Sequence, residues 1–94
     1  MANICDNVAK ISFNENDLDE VIRTKIISDF QEEFEYSYFD INYQDKNVVE
    51  LSFGSRWSMP DEDKLKEFCT LNDVTIIGVS YDFSNDYVTH FEIL

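Results

Sequence analysis

The spacing of the apolar residues constrains this chain most, because it changes repeatedly between the period of a strand and the period of a helix. Residues 8–13 alternate as a strand does, residues 18–30 carry apolar side chains at helical spacing, and residues 36–53 alternate again. A chain of 94 residues is long enough for one two-layer core and too short for a second. We therefore predict a single domain over residues 1–94.

The first predicted helix has a start signal and one apolar stripe. Asn14 or Asn16 can cap its free backbone N–H groups, because asparagine is a preferred residue at that position. The stripe is made of apolar residues at helical spacing, which are Leu18, Val21, Ile22, Ile26 and Phe30. We expect this stripe to face the core.

A hairpin follows, with its turn at residues 44–47, where the composition is polar. Its first strand is predicted to place Phe39, Ile41 and Tyr43 on one face. By the same alternation, its second strand places on one face Val49, Leu51 and Phe53.

The rest of the chain predicts a second helix and two further strands. Ser58 and Pro60 mark the helix start, and its buried stripe is Leu65, Phe68 and Cys69. Residues 74–83 form a long strand in which the apolar pattern changes parity beside Gly78, so we expect a bulge or a bend there. After a turn at residues 84–86, the last strand alternates through Tyr87, Thr89, Phe91 and Ile93.

The predicted element order is therefore β-α-β-β-α-β-β. This is an α+β fold in which the first six elements form a ferredoxin-like split β-α-β arrangement with an additional C-terminal β-strand. Two helices are expected to cover one face of an antiparallel sheet.

Two stretches resemble one known family. The opening MANICDN resembles the M-x-N-W-C-x-N start of the YubB-type ferredoxin-like proteins of phages and plasmids, and FGSRWSMP at residues 53–60 is similar to their strand followed by Trp-Ser-x-Pro. The matching residues are Asn3, Cys5, Asn7, Trp57 and Pro60. Ile4 stands where the family has tryptophan, and the family's insertion between its second and third strands is absent. The resemblance implies a ferredoxin-like fold and a mobile-element setting, and it assigns no activity to any residue.

The charge of the chain selects the kind of partner. Twenty Asp and Glu against seven Lys and Arg give a net charge of −13. Such a domain repels nucleic acids and anionic membranes and attracts basic protein surfaces. Aromatic residues that could stack on bases are present at Tyr36, Tyr38, Tyr81 and Phe83, but no basic patch accompanies them, so we expect no direct nucleic-acid binding and no membrane binding.

Two acidic clusters are the candidate partner-binding residues. The first is at the end of the first helix and consists of Asp29, Glu32, Glu33 and Glu35. The second is at the start of the second helix and consists of Asp61, Glu62, Asp63 and Glu67. Carboxylates at a helix C-terminus oppose the helix dipole, which favours a role in binding for the first cluster. The clusters are either a solvated acidic surface or a mimic of nucleic-acid phosphates.

No catalytic residue, metal site or cofactor is predicted. The only histidine is His90, on the last strand, and Cys5 and Cys69 are expected to fill the core. Trp57 is interpreted as closing one end of the core, with an interface anchor beside Arg56 as the alternative. Two cysteines and the lack of a visible signal peptide favour a cytoplasmic protein with reduced thiols.

These observations predict a non-enzymatic, cytoplasmic binding protein. Its partner would be a basic protein. The most specific hypothesis is that this partner is a nucleic-acid-binding defence effector, which the chain inhibits as an anti-CRISPR protein does. The alternative is an assembly module that forms a homodimer through an edge strand. An enzyme with an acidic cleft is a third interpretation.

Overall fold

The computed structural model describes residues 4–56, 59–82 and 87–93, which form five strands and two helices. The elements in chain order are β1 (Ile4–Phe13), α1 (Glu20–Phe34), β2 (Phe39–Gln44), β3 (Val48–Arg56), α2 (Glu62–Asn72), β4 (Val74–Asp82) and β5 (Tyr87–Ile93). The predicted α+β architecture is confirmed. Several predicted features lie outside the described residues, namely Asn3, Trp57, the Ser58 cap, Phe83 and the turn at 84–86.

The five strands form one antiparallel sheet in the order β2-β3-β1-β4-β5. The central strand is β1, which pairs with β3 on one side and with β4 on the other. Consecutive strands make the outer pairs, β2 with β3 and β4 with β5. The first strand of the chain therefore joins two halves that are contributed by later segments.

One face of this sheet packs against both helices. Alternate residues of β1 point into that face and are buried, among them Ala9, Ile11 and Phe13. Phe30 of α1 is fully buried at the centre, with its ring centroid 5.3 Å from Phe53 of β3 and 5.3 Å from Phe68 of α2. Each such ring contributes about 1.5–3 kcal/mol by leaving water. The core is thus a single layer between the sheet and the helices.

The start of α1 differs from its prediction. The N-cap is Asp19, whose carboxylate accepts a hydrogen bond of 2.8 Å from the backbone N–H of Val21. Asn14 does not cap the helix. Its side-chain amide donates to the carboxylate of Asp73 at 3.2 Å. The Asn16 cap is also wrong, since a turn with a positive φ of 60° at Asp17 separates that residue from the helix.

The buried stripe of α1 is also shifted. It consists of Ile26, Ile27, Phe30 and Phe34, whereas Val21 is 76% exposed and Ile22 is 48% exposed. Successive helical residues turn by about 100°, so Val21 and Phe30, which are nine positions apart, lie on opposite sides of the helix. The predicted stripe was wrong for its N-terminal half, where only Leu18, before the helix, packs against the core.

A β-bulge in β2 corrects the predicted hairpin. The register shifts between Ile41 and Tyr43, so that Ile41 pairs with Leu51 while Tyr43 pairs with Glu50. Tyr43 therefore lies on the face opposite to Ile41, and the prediction of a shared face is wrong for this residue. The extra residue is Asn42, whose amide donates to the Ser52 hydroxyl at 2.7 Å.

The second helix follows its prediction in its buried stripe, but its start was wrong, because Pro60 precedes the N-cap and does not lie in the first turn. Its buried residues are Leu65, Phe68 and Cys69, as the spacing indicates. Its N-cap is Asp61, whose carboxylate accepts hydrogen bonds from the backbone N–H groups of Asp63 and Lys64, at 2.9 and 3.3 Å. It ends where the backbone enters the left-handed region at Asp73.

Of the bulge or bend predicted at Gly78, the bulge is wrong. The pairing of β4 runs without a shift past Gly78, on both the β1 side and the β5 side. The glycine is required by packing instead, because a Cβ here would overlap the ring of Phe91 and lie 2.9 Å from the carbonyl oxygen of Val8. On β5 the predicted alternation is confirmed at Phe91 and Ile93, which are both buried.

Candidate functional site

A groove between α1 and α2 brings together residues from both predicted acidic clusters. It has a volume of about 280 Å³, and its lining residues are Asp29, Glu32, Glu33, Lys64, Glu67, Phe68, Leu71 and Asn72. We call this surface the acidic groove. Three of the carboxylates come from α1, and the fourth, Glu67, comes from α2.

The phenylalanines beneath the groove determine how the two helices meet. The Phe68 ring of α2 contacts Phe30 and Phe34 of α1, with centroid separations of 5.3 and 5.9 Å. Residues next to a buried stripe lie at the border between core and solvent. Asp29 and Glu33 flank Phe30 and Phe34 in this way, and they therefore reach the groove from the α1 side.

Two of the four carboxylates of the groove are in ion pairs with described residues, and two are not. Glu33 lies 3.9 Å from the ammonium group of Lys64, and Asp29 accepts a hydrogen bond of 2.9 Å from Lys25. The side-chain hydrogen bond to Asp29 raises the pKa of Lys25. Glu32 and Glu67 form no ion pair with any residue in the described part of the chain. Because the existing pairs are exposed, each is worth about 0–1 kcal/mol and can be exchanged for a partner's cation.

The other predicted binding residues do not line the groove. Glu35 follows the last residue of α1 and accepts a hydrogen bond of 3.4 Å from Gln31. Asp61 caps α2, and Glu62 forms an ion pair of 3.3 Å with Lys66. Asp63 is exposed in the first turn of α2. Helix capping, a hydrogen bond and an ion pair within the helices therefore account for several of the predicted acidic residues.

Apolar surface continues the groove along the helices. A second depression of about 270 Å³ shares Asp29, Leu71 and Asn72 with the acidic groove, and it adds Leu18 and Ile22 to its lining. Leu71, in the last turn of α2, is 81% exposed although its side chain is apolar. Leu71 was not among the predicted residues, although its spacing of three residues from Phe68 is a signal in the sequence.

A buried polar network on β1 was also missed. Asn7 is fully buried on the core side of the sheet, and its amide donates to the Phe53 carbonyl at 3.0 Å and to the Ser55 hydroxyl at 2.9 Å. The hydroxyl of Ser80 donates to the amide oxygen of Asn7. The network joins the three central strands, since these residues lie on β1, β3 and β4.

The two cysteines are buried thiols with raised pKa values. Burial is the largest cause at Cys5, followed by the nearby carboxylates of Asp82 and Asp6. Burial alone raises the pKa of Cys69 to about 11. A thiolate is the reactive form of cysteine, so both environments disfavour nucleophilic chemistry at neutral pH.

We expect neither native cysteine to react with Ellman's reagent at pH 8 within minutes, and both to react in guanidinium chloride, because burial blocks access and raises the thiol pKa. The matched control is Leu71→Cys, which places a thiol at an exposed position of the same helix as Cys69 and should react at once. Rapid reaction of the wild-type protein under native conditions would contradict the buried environments described above.

The remaining groups offer little chemistry. His90 is exposed on β5 and pairs with Val79. Within residues 4–56, 59–82 and 87–93, no three His, Cys, Asp or Glu side chains come together in a way that could hold a metal ion. Neither helix of the described chain is long and apolar enough to cross a membrane.

The aromatic residues considered for base stacking are only partly available. The Tyr38 hydroxyl donates to Asp6 at 2.6 Å, and burial together with this hydrogen bond raises the tyrosine pKa. The guanidinium of Arg56 lies 5.8 Å from the centre of the Tyr36 ring. These contacts engage two of the rings within the protein itself.

Comparisons with protein-family models, curated proteins and solved structures found no match to this chain.

Proposed function

We propose that this chain is a non-enzymatic acidic binding protein that occludes the basic nucleic-acid-binding surface of a partner protein. The observation that carries the proposal is the acidic groove, which is lined by Glu32 from α1 and Glu67 from α2, two carboxylates that form no ion pair with the described residues. An inhibitor of a host defence effector, of the anti-CRISPR kind, is its concrete form. Action in the cytoplasm of the host cell belongs to the same proposal.

The groove suits arginine and lysine side chains in two respects. A carboxylate can accept two parallel hydrogen bonds from one guanidinium, which makes such pairs both strong and directional. The aliphatic stem of the same side chain needs apolar surface, and Phe68 and Leu71 supply it beside the carboxylates. A groove with both features favours a protein partner over a simple cation.

Long-range charge supports the same partner class. A net charge of −13 on 94 residues accelerates association with a cationic surface and opposes association with nucleic acid. Because this attraction acts between exposed charges, salt weakens it. We therefore expect the complex to form rapidly and to dissociate as the ionic strength rises.

A mobile-element origin and a ferredoxin-like fold complete the proposal. The resemblance to the YubB-type proteins supports the origin. The split β-α-β arrangement is supported by the position of β3 between β1 and β2, and by the pairing of β1 with β4. Two of the residues that carry the resemblance, Cys5 and Asn7, are buried on β1.

The test compares two double variants with equal net charge. Glu32→Gln with Glu67→Gln neutralises the acidic groove, while Glu50→Gln with Glu92→Gln neutralises carboxylates on the sheet. Each protein is used to capture partners from a bacterial lysate at low and high salt, and affinities for the purified partner are then measured by calorimetry. We expect the groove variant to bind about ten-fold or more weakly and the sheet variant to stay within about three-fold, because only groove charges meet the partner directly.

A further measurement examines the mode of inhibition. Nucleic acid bound by the partner should be displaced when this chain is added, and excess nucleic acid should reverse the displacement. Equal losses in both double variants would show that bulk charge alone drives binding. A complex that forms without displacing nucleic acid would contradict occlusion.

Self-association through an edge strand is the second candidate. Within the described residues, β5 is an edge of the sheet and pairs only with β4, in a continuous register. The opposite edge, β2, is interrupted by the bulge at Asn42, which discourages pairing with another chain. Any edge pairing is therefore expected at β5.

A further inference from the structure

The face of the sheet opposite to the two helices carries exposed apolar and charged residues. Along this face, Glu50, Lys10, Ile77 and Glu92 lie abreast on β3, β1, β4 and β5. The next row contains Val8, Val79 and His90. We call these two rows the open face. A shallow depression of about 530 Å³ lies over them.

We infer that the open face binds a second copy of this chain, so that two sheets pack face to face. The first reason is its apolar centre. Ile77 is 50% exposed and Val8 is 44% exposed, although both lie near the middle of the sheet rather than at its rim. Covering such residues with another apolar surface removes them from water, which favours association.

The second reason is that the charges of the open face are complementary to themselves. Lys10 is exposed and is opposite Glu50 in the register, yet it forms no ion pair with any described residue. The face thus presents a cation beside anions. A two-fold axis brings the same patch of both copies together, so the lysine of each copy can approach a glutamate of the other.

The third reason is the distance that this arrangement puts between the acidic helices. Packed sheets are about 10 Å apart, and a helical layer is about 10 Å thick, so the helices of the two copies are separated by roughly 30 Å. This distance exceeds three Debye lengths of about 8 Å at physiological salt. Face-to-face packing therefore reduces the repulsion between the two chains more than any contact through the helices does.

The size of the face sets the expected strength. Five strands about 4.8 Å apart, each about six residues long, give a face of roughly 25 by 20 Å, which is an area of about 500 Å². Standard interfaces bury about 800 Å² on each partner, so this one is at the lower end. We expect a dimer with a dissociation constant in the range of about 10–100 μM.

The experiment is sedimentation equilibrium of the full chain from about 5 μM to 1 mM, with circular dichroism to verify that each variant is folded. Ile77→Asp should weaken dimerisation about ten-fold or more, while Val21→Asp, which adds the same charge at an exposed apolar position of α1, should change it less than about two-fold. Lys10→Glu should also weaken the dimer, and Lys10→Glu with Glu50→Lys should restore it, because the exchange keeps opposite charges on the face.

Salt separates this inference from the proposed function. Dimerisation should become tighter as salt rises from low to physiological concentration, because over this range the long-range repulsion between two chains of charge −13 is screened while the apolar contact is not. Binding in the acidic groove should change in the opposite direction. A chain that stays monomeric up to 1 mM at high salt overturns the inference. A dimer that is indifferent to Ile77→Asp and Lys10→Glu also overturns it, and points to pairing along β5.

Discussion

We expect the Phe30→Ala variant to lose about 3–5 kcal/mol of unfolding free energy, because truncating a buried aromatic ring removes its transfer energy and leaves a cavity. Phe30 is fully buried, and its ring contacts Phe34, Phe53 and Phe68 at centroid separations of 4.6, 5.3 and 5.3 Å. A domain of this kind has about 5–15 kcal/mol in total. The variant should therefore be close to unfolding at room temperature, as measured by urea denaturation with circular dichroism.

The control for this prediction is Tyr43→Ala, which removes a ring from an exposed position of β2. It should cost less than about 1 kcal/mol, because exposed substitutions rarely cost more. Phe30→Leu, which keeps most of the volume, should retain the fold at an intermediate cost. A loss below about 1.5 kcal/mol for Phe30→Ala would show that this ring is not the centre of the core. Since Phe30 supports Phe68, the acidic groove should be lost together with the fold.

The second large effect is expected at Asn7. Asn7→Leu keeps the approximate size of the side chain but removes the amide hydrogen bonds to Phe53 and Ser55 and the acceptor for Ser80. A buried polar group that loses its partner costs about 1–3 kcal/mol, so we expect a total loss of about 2–4 kcal/mol. Denaturant titration at neutral pH measures this loss.

Two further variants make the Asn7 prediction specific. Asn42→Leu removes an asparagine amide that bonds a serine at an exposed site and should change stability by less than about 0.5 kcal/mol. Asn7→Leu with Ser80→Ala should recover about 1 kcal/mol relative to Asn7→Leu alone, because the second change removes the stranded hydroxyl. If Asn7→Leu were no more costly than Asn42→Leu, the network would contribute nothing to stability.

Periodicity predicted the elements well where each residue has one dominant environment. The stripe of α2 and the strand alternation of β5 depend on local geometry alone, and both are found where the spacing places them. The start of α1 was harder to predict from the sequence. Several residues before this helix can cap it, and the sequence alone does not show that Asp19 is the cap or that Asn14 bonds to Asp73 across the structure.

Three other differences have tertiary causes. Gly78 has the appearance of a bulge residue, but the reason for it is a ring on the neighbouring strand, Phe91, that no local window contains. The bulge that does occur, at Asn42, has no glycine to signal it. Val21 shows that apolar character alone does not assign a residue to the buried side of a helix.

The acidic groove could be predicted only in part. The sequence identifies Asp29, Glu32 and Glu33 as a cluster, because their spacing of three and four residues is visible. It does not show that Glu67 lies across from them while Asp63 does not, since that depends on how Phe68 meets α1. The roles of Asp61 and Glu35 at helix ends explain why the acidic composition predicts more residues for this site than the groove contains.

The central position of β1 has a consequence for how the chain reaches this structure. Its partners in the sheet begin at Val48 and Val74, so every pairing of β1 closes a long loop, whereas β2 with β3 and β4 with β5 are built from neighbouring segments. Long-range pairings form slowly, on a timescale of about milliseconds to seconds. Until β1 is inserted, β3 and β4 each expose an unpaired inner edge, and the high negative charge is then what keeps such intermediates from aggregating.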